Sequence, residues 1–486
     1  MIKNSKGICL FSLLGLFGCL ATPSFAWDIY PADPLRVMAT PPRLPPTAIM
    51  NKADEPCTLS TPGTPVQLGE AVEYALCNHP QTRGAWSTIR AQAAQVGIAT
   101  AAYLPTLNAS IQGVRDHAIT QTPAYPRLGT DHSDTYQTNA ITLSWMLYDF
   151  GARSAALENA KQLLLAAQAS YDNTLLKVFT TTTKDYYAAS AAQAAVQVAQ
   201  ENEQTAQQSL RVAEARVSGG VAAISDQLQA QTAYSQAIIN RVKAEGELHN
   251  ALGLLALDMG QEVDYISNVT YIDEESSNQF SSTKPIQDFL AEAEREHPSL
   301  KAAKAQLDAS RAKAEQVRSQ GRPSISLTAR ANRSTQSESL GTGLPTTPAH
   351  GQDRYLGIQL DIPIFDGFGR TYQIRNAEAQ VDVQQANLAD AEQQVAKEVW
   401  TSYQSLKTNE ENLKASKDLL NSAQSAFVAG KRRYQTGVTT IQELLSVQTA
   451  LATARQQRIQ AIADWYTAKY QLAGALGKIP RVSALP

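Results

Sequence analysis

Two short segments of the chain place an arginine, a glycine and an acidic residue in the same order and spacing. The glycine follows the arginine by four positions and the acid follows the glycine by six, in Arg216, Gly220 and Asp226 and in Arg433, Gly437 and Glu443. These groups can bind ions, cap helices or pair with charges on a neighbouring segment. None of them is arranged to activate a nucleophile, so the pattern indicates ion binding or charge pairing rather than catalysis.

The glycines and the acids fit a helix reversal. Gly219, Gly220 and Gly437 can supply the positive φ that a tight turn between two helices needs. Asp226 and Glu443 then lie in the first two turns of the next helix, where negative charge is favourable. A structural cap is therefore one interpretation. In the other, each acid recurs around a symmetric opening, and Glu443 sets a cation preference there.

The two arginines also have two interpretations. Arg216 and Arg433 can pair with acids or backbone carbonyls of neighbouring hairpins and so hold an entrance closed. Alternatively, each forms a solvated surface salt bridge, which stabilises a protein by at most about 1 kcal/mol.

No catalytic, cofactor or metal site is predicted elsewhere. The six histidines are scattered, and His79 and His297 each precede a proline, which is typical of a helix break. There is no phosphate-binding P-loop and no nucleophile elbow. With 42 basic and 45 acidic residues, the chain also lacks the excess of positive charge that is typical of nucleic-acid-binding proteins. We therefore expect neither an enzyme nor a nucleic-acid-binding protein.

The elements that carry these segments are duplicated at a spacing of 217 residues. The match runs without a gap from Ile141 to Gly260, and it includes Asn159, Tyr186 and Gly260, which recur as Asn376, Tyr403 and Gly477. So long a period indicates a duplicated half-protein rather than a short repeat. We predict a first structural repeat at 64–260, a joining segment at 261–285, a second repeat at 286–478 and a tail at 479–486.

The N-terminus resembles a secretory signal peptide at residues 1–26. Lys3 and Lys6 precede an apolar run, and small residues allow cleavage before Trp27. A lipoprotein site at Cys19 is the alternative, although Phe17 fits it poorly. Residues 27–63 form a Pro-rich arm. The exported chain would keep two cysteines, and such a pair indicates a disulfide between Cys57 and Cys77.

Four segments alternate between apolar and polar residues with period two. Each is about the length of a tilted membrane-spanning strand, and polar loops at about 117–137 and 334–353 join the paired strands. The alternation predicts a lipid-facing set made of Leu107, Ile111, Ile141, Leu143, Trp145, Ile325, Leu327, Leu356, Ile358 and Leu360.

A long helix follows each strand pair. Residues 154–217 contain neither proline nor glycine, which allows a helix of about 95 Å, and residues 371–436 contain one glycine before the turn. A second helix follows each turn, at about 222–258 and 439–475. Charged residues interrupt the long helices, so they cannot lie in a membrane, and their Ala, Leu and Val stripes favour coiled-coil packing.

Four strands with an apolar face cannot close a barrel alone, since open edges in lipid leave backbone groups unpaired. Three copies would supply twelve strands. The predicted fold is an internally duplicated, mixed α and β membrane protein, in which a trimeric 12-stranded transmembrane β-barrel, with four strands per chain, continues into a long periplasmic α-helical coiled-coil barrel. A soluble exported protein and a periplasmic coiled-coil scaffold without a pore remain alternatives.

These residues also carry a resemblance to a known family. The sequences AAYLP at 101–105 and DIPIFDG at 361–367, together with the two tip segments, resemble TolC-type outer-membrane channels, the outer membrane factors of Gram-negative bacteria. The resemblance covers about 64–478. It implies a homotrimer in outer-membrane lipid that meets a periplasmic membrane-fusion adaptor and an inner-membrane ABC transporter or proton-driven pump.

The resemblance also assigns roles at the tips. It places the gate and the adaptor-docking surface at Arg216, Gly219, Gly220, Asp226, Arg433, Gly437, Glu443 and Ser446. Glu443 matches an acid that narrows the closed entrance, whereas Ser446 stands where relatives often carry a second acid. The arm and the cysteine pair are most similar to the CyaE-like branch that serves type I protein secretion; multidrug or metal efflux is the alternative.

Overall fold

A computed structural model of the chain describes residues 33–37, 65–121, 123–126, 129–263, 266–270, 285–335, 338–339, 346–347 and 349–479. The predicted signal peptide, Cys19, Cys57, most of the Pro-rich arm and most of the joining segment lie outside the described residues. So does the tail from residue 480 onward.

The two halves are built from the same elements in the same order. The first half contains α1 (Leu68–Asn78), α2 (Pro80–Ala101), β1 (Thr106–Thr120), β2 (Thr130–Tyr148), α3 (Ala152–Ser218) and α4 (Ile224–Asp258). The second contains α5 (Ile286–Glu296), α6 (Pro298–Ser319), β3 (Ser324–Ser334), the short β4 (Glu338–Ser339) and β5 (Thr346–Thr347), β6 (Gly351–Asp361), α7 (Gly369–Gln435) and α8 (Ile441–Ala475). Corresponding helices have equal lengths of 11, 22, 67 and 35 residues. No helix in the described residues is long and apolar enough to cross a membrane.

Each half has a helix break at its His-Pro pair. The Nδ1 atoms of His79 and His297 accept backbone N–H groups two residues on, each at 3.2 Å, and a proline begins the next helix. The glycine that ends α4 packs against the first break, because a Cβ on Gly260 would lie 3.2 Å from the Asn78 carbonyl oxygen. Gly477 approaches the second break in the same way. The helix ends are thereby held beside the breaks.

The four long strands form one antiparallel sheet in the order β1-β2-β3-β6. Residues paired directly across neighbouring antiparallel strands share a face. One row of the sheet contains Leu107, Leu143, Ala329 and Leu356, and the next contains Trp145, Leu327 and Ile358. The register therefore gathers the predicted apolar residues on one face, and in the single chain Ile111 and Ile358 are 78% and 72% exposed there. Among the described residues, β1 and β6 are the edge strands, and each pairs with one neighbouring strand.

The predicted bounds of the loop between the first two strands are wrong. β1 and β2 extend to Thr120 and from Thr130, so much of the predicted loop at 117–137 is strand. The added residues are mostly polar, and no apolar alternation marked them. The strand register shifts between Met146 and Tyr148, so Tyr148 lies opposite Ile325.

Ion pairs fix the junctions between the sheet and the long helices. Asp149 Oδ2 accepts the backbone N–H of Arg153 at 2.8 Å and its Nε at 3.1 Å. The Arg153 guanidinium also donates to the Met146 carbonyl oxygen at 2.7 Å. Asp366 and Arg370 repeat the backbone contact at 3.0 Å in the second half. These contacts set the direction in which α3 and α7 leave the sheet.

Candidate functional site at the tips of the helical hairpins

The two hairpins turn through the same backbone motif. At the first tip (residues 216–226), Gly220 has φ 72°, its N–H donates to the Val217 carbonyl at 3.0 Å, and Val221 N–H donates to the Arg216 carbonyl at 2.9 Å. At the second tip (residues 433–443), Gly437 has φ 79° and the equivalent bonds recur. This is the Schellman arrangement, which needs a residue without a Cβ penalty at positive φ.

The acids lie in the first turn of the helix that follows each turn. Asp226 is in the first turn of α4, with the Ser225 hydroxyl donating to Oδ1 at 3.4 Å. Glu443 is in the first turn of α8, where the Thr440 hydroxyl accepts its N–H at 3.3 Å. Both positions allow a favourable interaction with the positive end of a helix.

Glu443 is paired within its own hairpin. Its Oε1 lies 2.8 Å from Nη1 of Arg433, and the Thr439 hydroxyl donates to its Oε2. Both side chains remain about half exposed, so the pair stays in contact with solvent. The carboxylate is thus partly neutralised and held at the edge of the tip.

Arg216 instead links the two hairpins. Its Nη1 donates to the backbone carbonyl of Tyr434 at 2.9 Å, and its guanidinium lies 4.8 Å from the centre of the Tyr434 ring. Tyr434 is 2% exposed, and burial raises the pKa of its phenol. A charge-assisted hydrogen bond and a cation–π contact on one buried partner make this a stronger contact than an exposed ion pair.

The two tips therefore differ despite the repeat. Tyr434 corresponds to Val217 in the first half, so only one hairpin carries the aromatic partner. Ile441 is 2% exposed, whereas its counterpart Ile224 is 61% exposed. Sequence reasoning treated both arginines alike and missed Tyr434; the tyrosine in place of valine was the available signal.

The other predicted tip residues lie on open surfaces. Gly219 ends α3 with a right-handed φ of −77°, so Gly220 alone carries the left-handed turn there. Ser446 is exposed on α8, one turn beyond Glu443, beside an open groove of about 1000 Å³ that Gln229 and Thr232 of α4 also line.

Cys77 lies in α1, is 4% exposed and is disulfide-bonded. Its predicted partner, Cys57, lies outside the described residues. No group of three or more His, Cys, Asp or Glu residues that could hold a metal ion occurs in the part of the chain that the structure describes.

An ionisable pair lies far from the tips. Asp258, the last residue of α4, has its pKa raised from 3.8 to about 7, first by burial and then by a hydrogen bond with Asp185 of α3 and by that residue's charge. No motif predicts this contact, because the two acids are 73 positions apart in the chain.

Known proteins share both the sequence pattern and the fold. The model of the family described as outer membrane efflux protein matches residues 71–261 and 289–478. Protein CyaE of Bordetella pertussis is 31% identical over 415 residues, which cover 85% of this chain and 84% of CyaE. The toluene efflux pump outer membrane protein TtgC of Pseudomonas putida is 25% identical over 84% of this chain and 82% of its own.

A solved structure extends the likeness to the fold. The Campylobacter jejuni CmeC outer membrane channel matches with a TM-score of 0.74 and 18% identity, covering 89% of this chain and 91% of that one. The family match, the identity to CyaE and the shared fold agree with one another. The chain therefore belongs to the outer membrane efflux protein family, the TolC family, whose members are outer-membrane channels of Gram-negative bacteria and not enzymes.

Proposed function

We propose that three copies of this chain form a continuous duct, a 12-stranded barrel in the outer membrane joined to a periplasmic tunnel of twelve helices. The duct receives cargo from an inner-membrane transporter through a periplasmic adaptor and releases it outside the cell. The chain contributes no chemical step.

The apolar face and the open edges of the sheet are the main support for a barrel made of several copies. Four strands gather an apolar face that is largely exposed in one copy, and β1 and β6 each keep one edge without a partner in the described residues. In lipid, each unpaired backbone group costs several kcal/mol, so the edges must be closed by further copies. Three copies give twelve strands, above the roughly eight at which small barrels begin.

We infer that the cargo is a protein exported by type I secretion through an ABC transporter. The extent and identity of the match to CyaE support this branch. Multidrug or metal efflux is the second candidate, and the match to TtgC over a similar share of the chain supports it. A scaffold without a pore is disfavoured, because the family consists of channels.

We propose that the tips form the gate. Arg216 holds the two hairpins of one copy together through Tyr434, and three such latches surround the entrance. Glu443, balanced by Arg433, sets the charge of the opening. The exposed turns at Gly219, Gly220 and Gly437 are the surface to which the adaptor docks, and Asp226 and Ser446 flank it.

Deletion of the gene in its host distinguishes the two cargo classes. Type I secretion predicts that a large protein disappears from the medium while sensitivity to solvents, antibiotics and metals stays unchanged. Increased sensitivity with normal protein secretion would instead establish efflux. Restoration by the wild-type gene, but not by a variant that fails to reach the outer membrane, controls for indirect effects.

A further inference from the structure

We propose that three arginines on the lipid-facing side of the sheet bind the phosphate groups of a phosphorylated glycolipid in the outer leaflet of the membrane. They are Arg115 of β1, Arg333 of β3 and Arg354 of β6, and all three side chains are exposed. This inference rests on the proposed barrel, because that arrangement puts this side of the sheet in lipid. It names a lipid partner, whereas the proposed function names a path for cargo.

Each arginine is the first charged residue on this face beyond the apolar residues of its strand. The chain rises about 27 Å from Leu107 to Arg115 and from Ile325 to Arg333. At a strand tilt of about 40° this is about 20 Å across the membrane, and the apolar band of such a barrel is about 25 Å tall. The helices leave the opposite end of the strands, which the proposed function puts in the periplasm. The arginines therefore lie near the outer leaflet, where a charge costs little.

Two of the arginines are close to each other across the strands. Arg333 pairs with Gln352, and Ala331 pairs with Arg354, so the two arginines are diagonal neighbours on one face. Such positions are about 7–8 Å apart, within reach of long side chains. In the part of the chain that the structure describes, neither guanidinium has a carboxylate partner. A phosphate that accepts hydrogen bonds from both would offset their repulsion, and arginine can bind it through two parallel bonds.

Charged residues are sorted between the two faces of the sheet. On the lipid-facing side of the four long strands Asp131 is the one acidic residue, and its Oδ1 lies 3.5 Å from Nε2 of His117. The opposite face carries Asp116, Asp353 and Asp361. An anionic head group therefore meets a positively charged surface on the lipid side, which favours its binding.

The neighbours of Arg333 suit the sugar part of such a lipid. Asn139 of β2 and Gln352 of β6 lie directly opposite Arg333, one on each side, and both are exposed. Their amide groups can donate to and accept from sugar hydroxyl groups. In the proposed barrel β6 borders β1 of the next copy, which brings Arg115 of that copy to the same side. Each copy then contributes to one site of the same composition.

The test measures lipid binding to the full mature protein in a neutral detergent by native mass spectrometry. The probe is lipid A with two phosphates, and the parent should bind one molecule per copy. Arg333→Gln should weaken binding at least about fivefold, and its combination with Arg354→Gln at least about tenfold. Arg330 lies on the opposite face of β3 and is also exposed, so Arg330→Gln is the matched control and should bind within about twofold of the parent.

Two further measurements sharpen the test. Arg333→Lys keeps the positive charge, so it should assemble like the parent, and it should bind lipid A at least about threefold more weakly because lysine lacks the planar fork. Lipid A without phosphates should bind the parent no better than it binds the double variant. An excess of inorganic phosphate should not displace the lipid, because the acyl chains and the sugar also contribute to binding.

The same spectra separate this inference from the proposed barrel. A protein mass of one chain would overturn both. A trimer that binds lipid A equally well in the parent, Arg333→Gln, Arg333→Lys and the double variant would overturn the inference alone. So would equal weakening by Arg330→Gln, equal binding of lipid A without phosphates, or displacement of the lipid by inorganic phosphate.

Discussion

The guanidinium of Arg216 and the backbone carbonyl of Tyr434 lie 2.9 Å apart, although the two residues belong to different helical hairpins of the chain. The ring of the same tyrosine lies under the guanidinium. Arg433 occupies the equivalent place in the second half but pairs with Glu443 of its own hairpin. Of these two arginine contacts, only the one from Arg216 joins the hairpins.

A graded loss of closure is expected at Arg216. Lysine keeps the charge and one donor but loses the planar group that lies on the ring, whereas alanine loses both contacts. Mean conductance in planar bilayers should therefore rise from the parent to Arg216→Lys and further to Arg216→Ala. Arg211→Ala, an exposed position on the same helix, is the control. Equal conductance in all four proteins would contradict the latch.

Opposite changes in ion selectivity are expected at the second tip. Glu443→Gln removes a negative charge from the proposed entrance, so the preference for cations should fall. Arg433→Ala leaves the carboxylate without its cation, so the preference should rise. Reversal potentials in a salt gradient measure both effects. Selectivity that shifts in the same direction in both variants, or in neither, would remove Glu443 from the entrance.

The apolar face of the sheet is expected to contact lipid. Leu143 and Ile358 lie on that face, and aspartate there would place a charge in hydrocarbon at a cost of about 2 kcal/mol. Leu143→Asp and Ile358→Asp should therefore reduce the amount of assembled protein in the outer membrane. Thr142→Asp, on the opposite face of the same strand, should assemble normally. Failure of Thr142→Asp alone would invert the assignment of the two faces.

Stability is expected to depend on pH through Asp258. Its folded-state pKa is raised from 3.8 to about 7, so between these values the folded chain binds more protons at this site than the unfolded chain does. The contribution of Asp258 to the free energy of unfolding is therefore greatest below pH 3.8. It is lost as the pH rises to about 7, and it changes little above that value.

Thermal unfolding measures this effect as the difference in melting temperature between the parent and a variant that cannot titrate at residue 258. Between pH 5 and pH 8 the parent should lose about 2 °C or more of melting temperature relative to Asp258→Asn, in which the site no longer titrates. Other carboxylates titrate in both proteins and cancel in the comparison. Parallel pH profiles would show that folding does not raise the pKa of Asp258.

Much of the architecture was predictable because the same sequence pattern occurs in both halves of the chain. Helices expected at 154–217 and 371–436 occur as Ala152–Ser218 and Gly369–Gln435, since neither stretch contains a proline and only the second contains a glycine. The polar ends of β1 and β2 were missed. Their pairing depends on the neighbouring strand, and a polar strand end resembles a loop in sequence.

The site was predictable in its turns but not in its contacts. Gly220 and Gly437 adopt the expected positive φ because the turn needs it. The partner of Arg216 was not predictable, since Tyr434 is 218 positions away and the contact depends on how two hairpins pack. The contact of Asp258 with Asp185 escapes sequence reasoning for the same reason.

The number of copies in the membrane-extracted protein tests the central claim most directly. The mature chain, extracted from outer membranes in mild detergent and measured by light scattering, should have a protein mass of three chains and should conduct ions after reconstitution. Without heating it should migrate as the trimer in gels, and after boiling as the single chain. A monomer that stays dispersed in water without detergent and conducts nothing would contradict the duct.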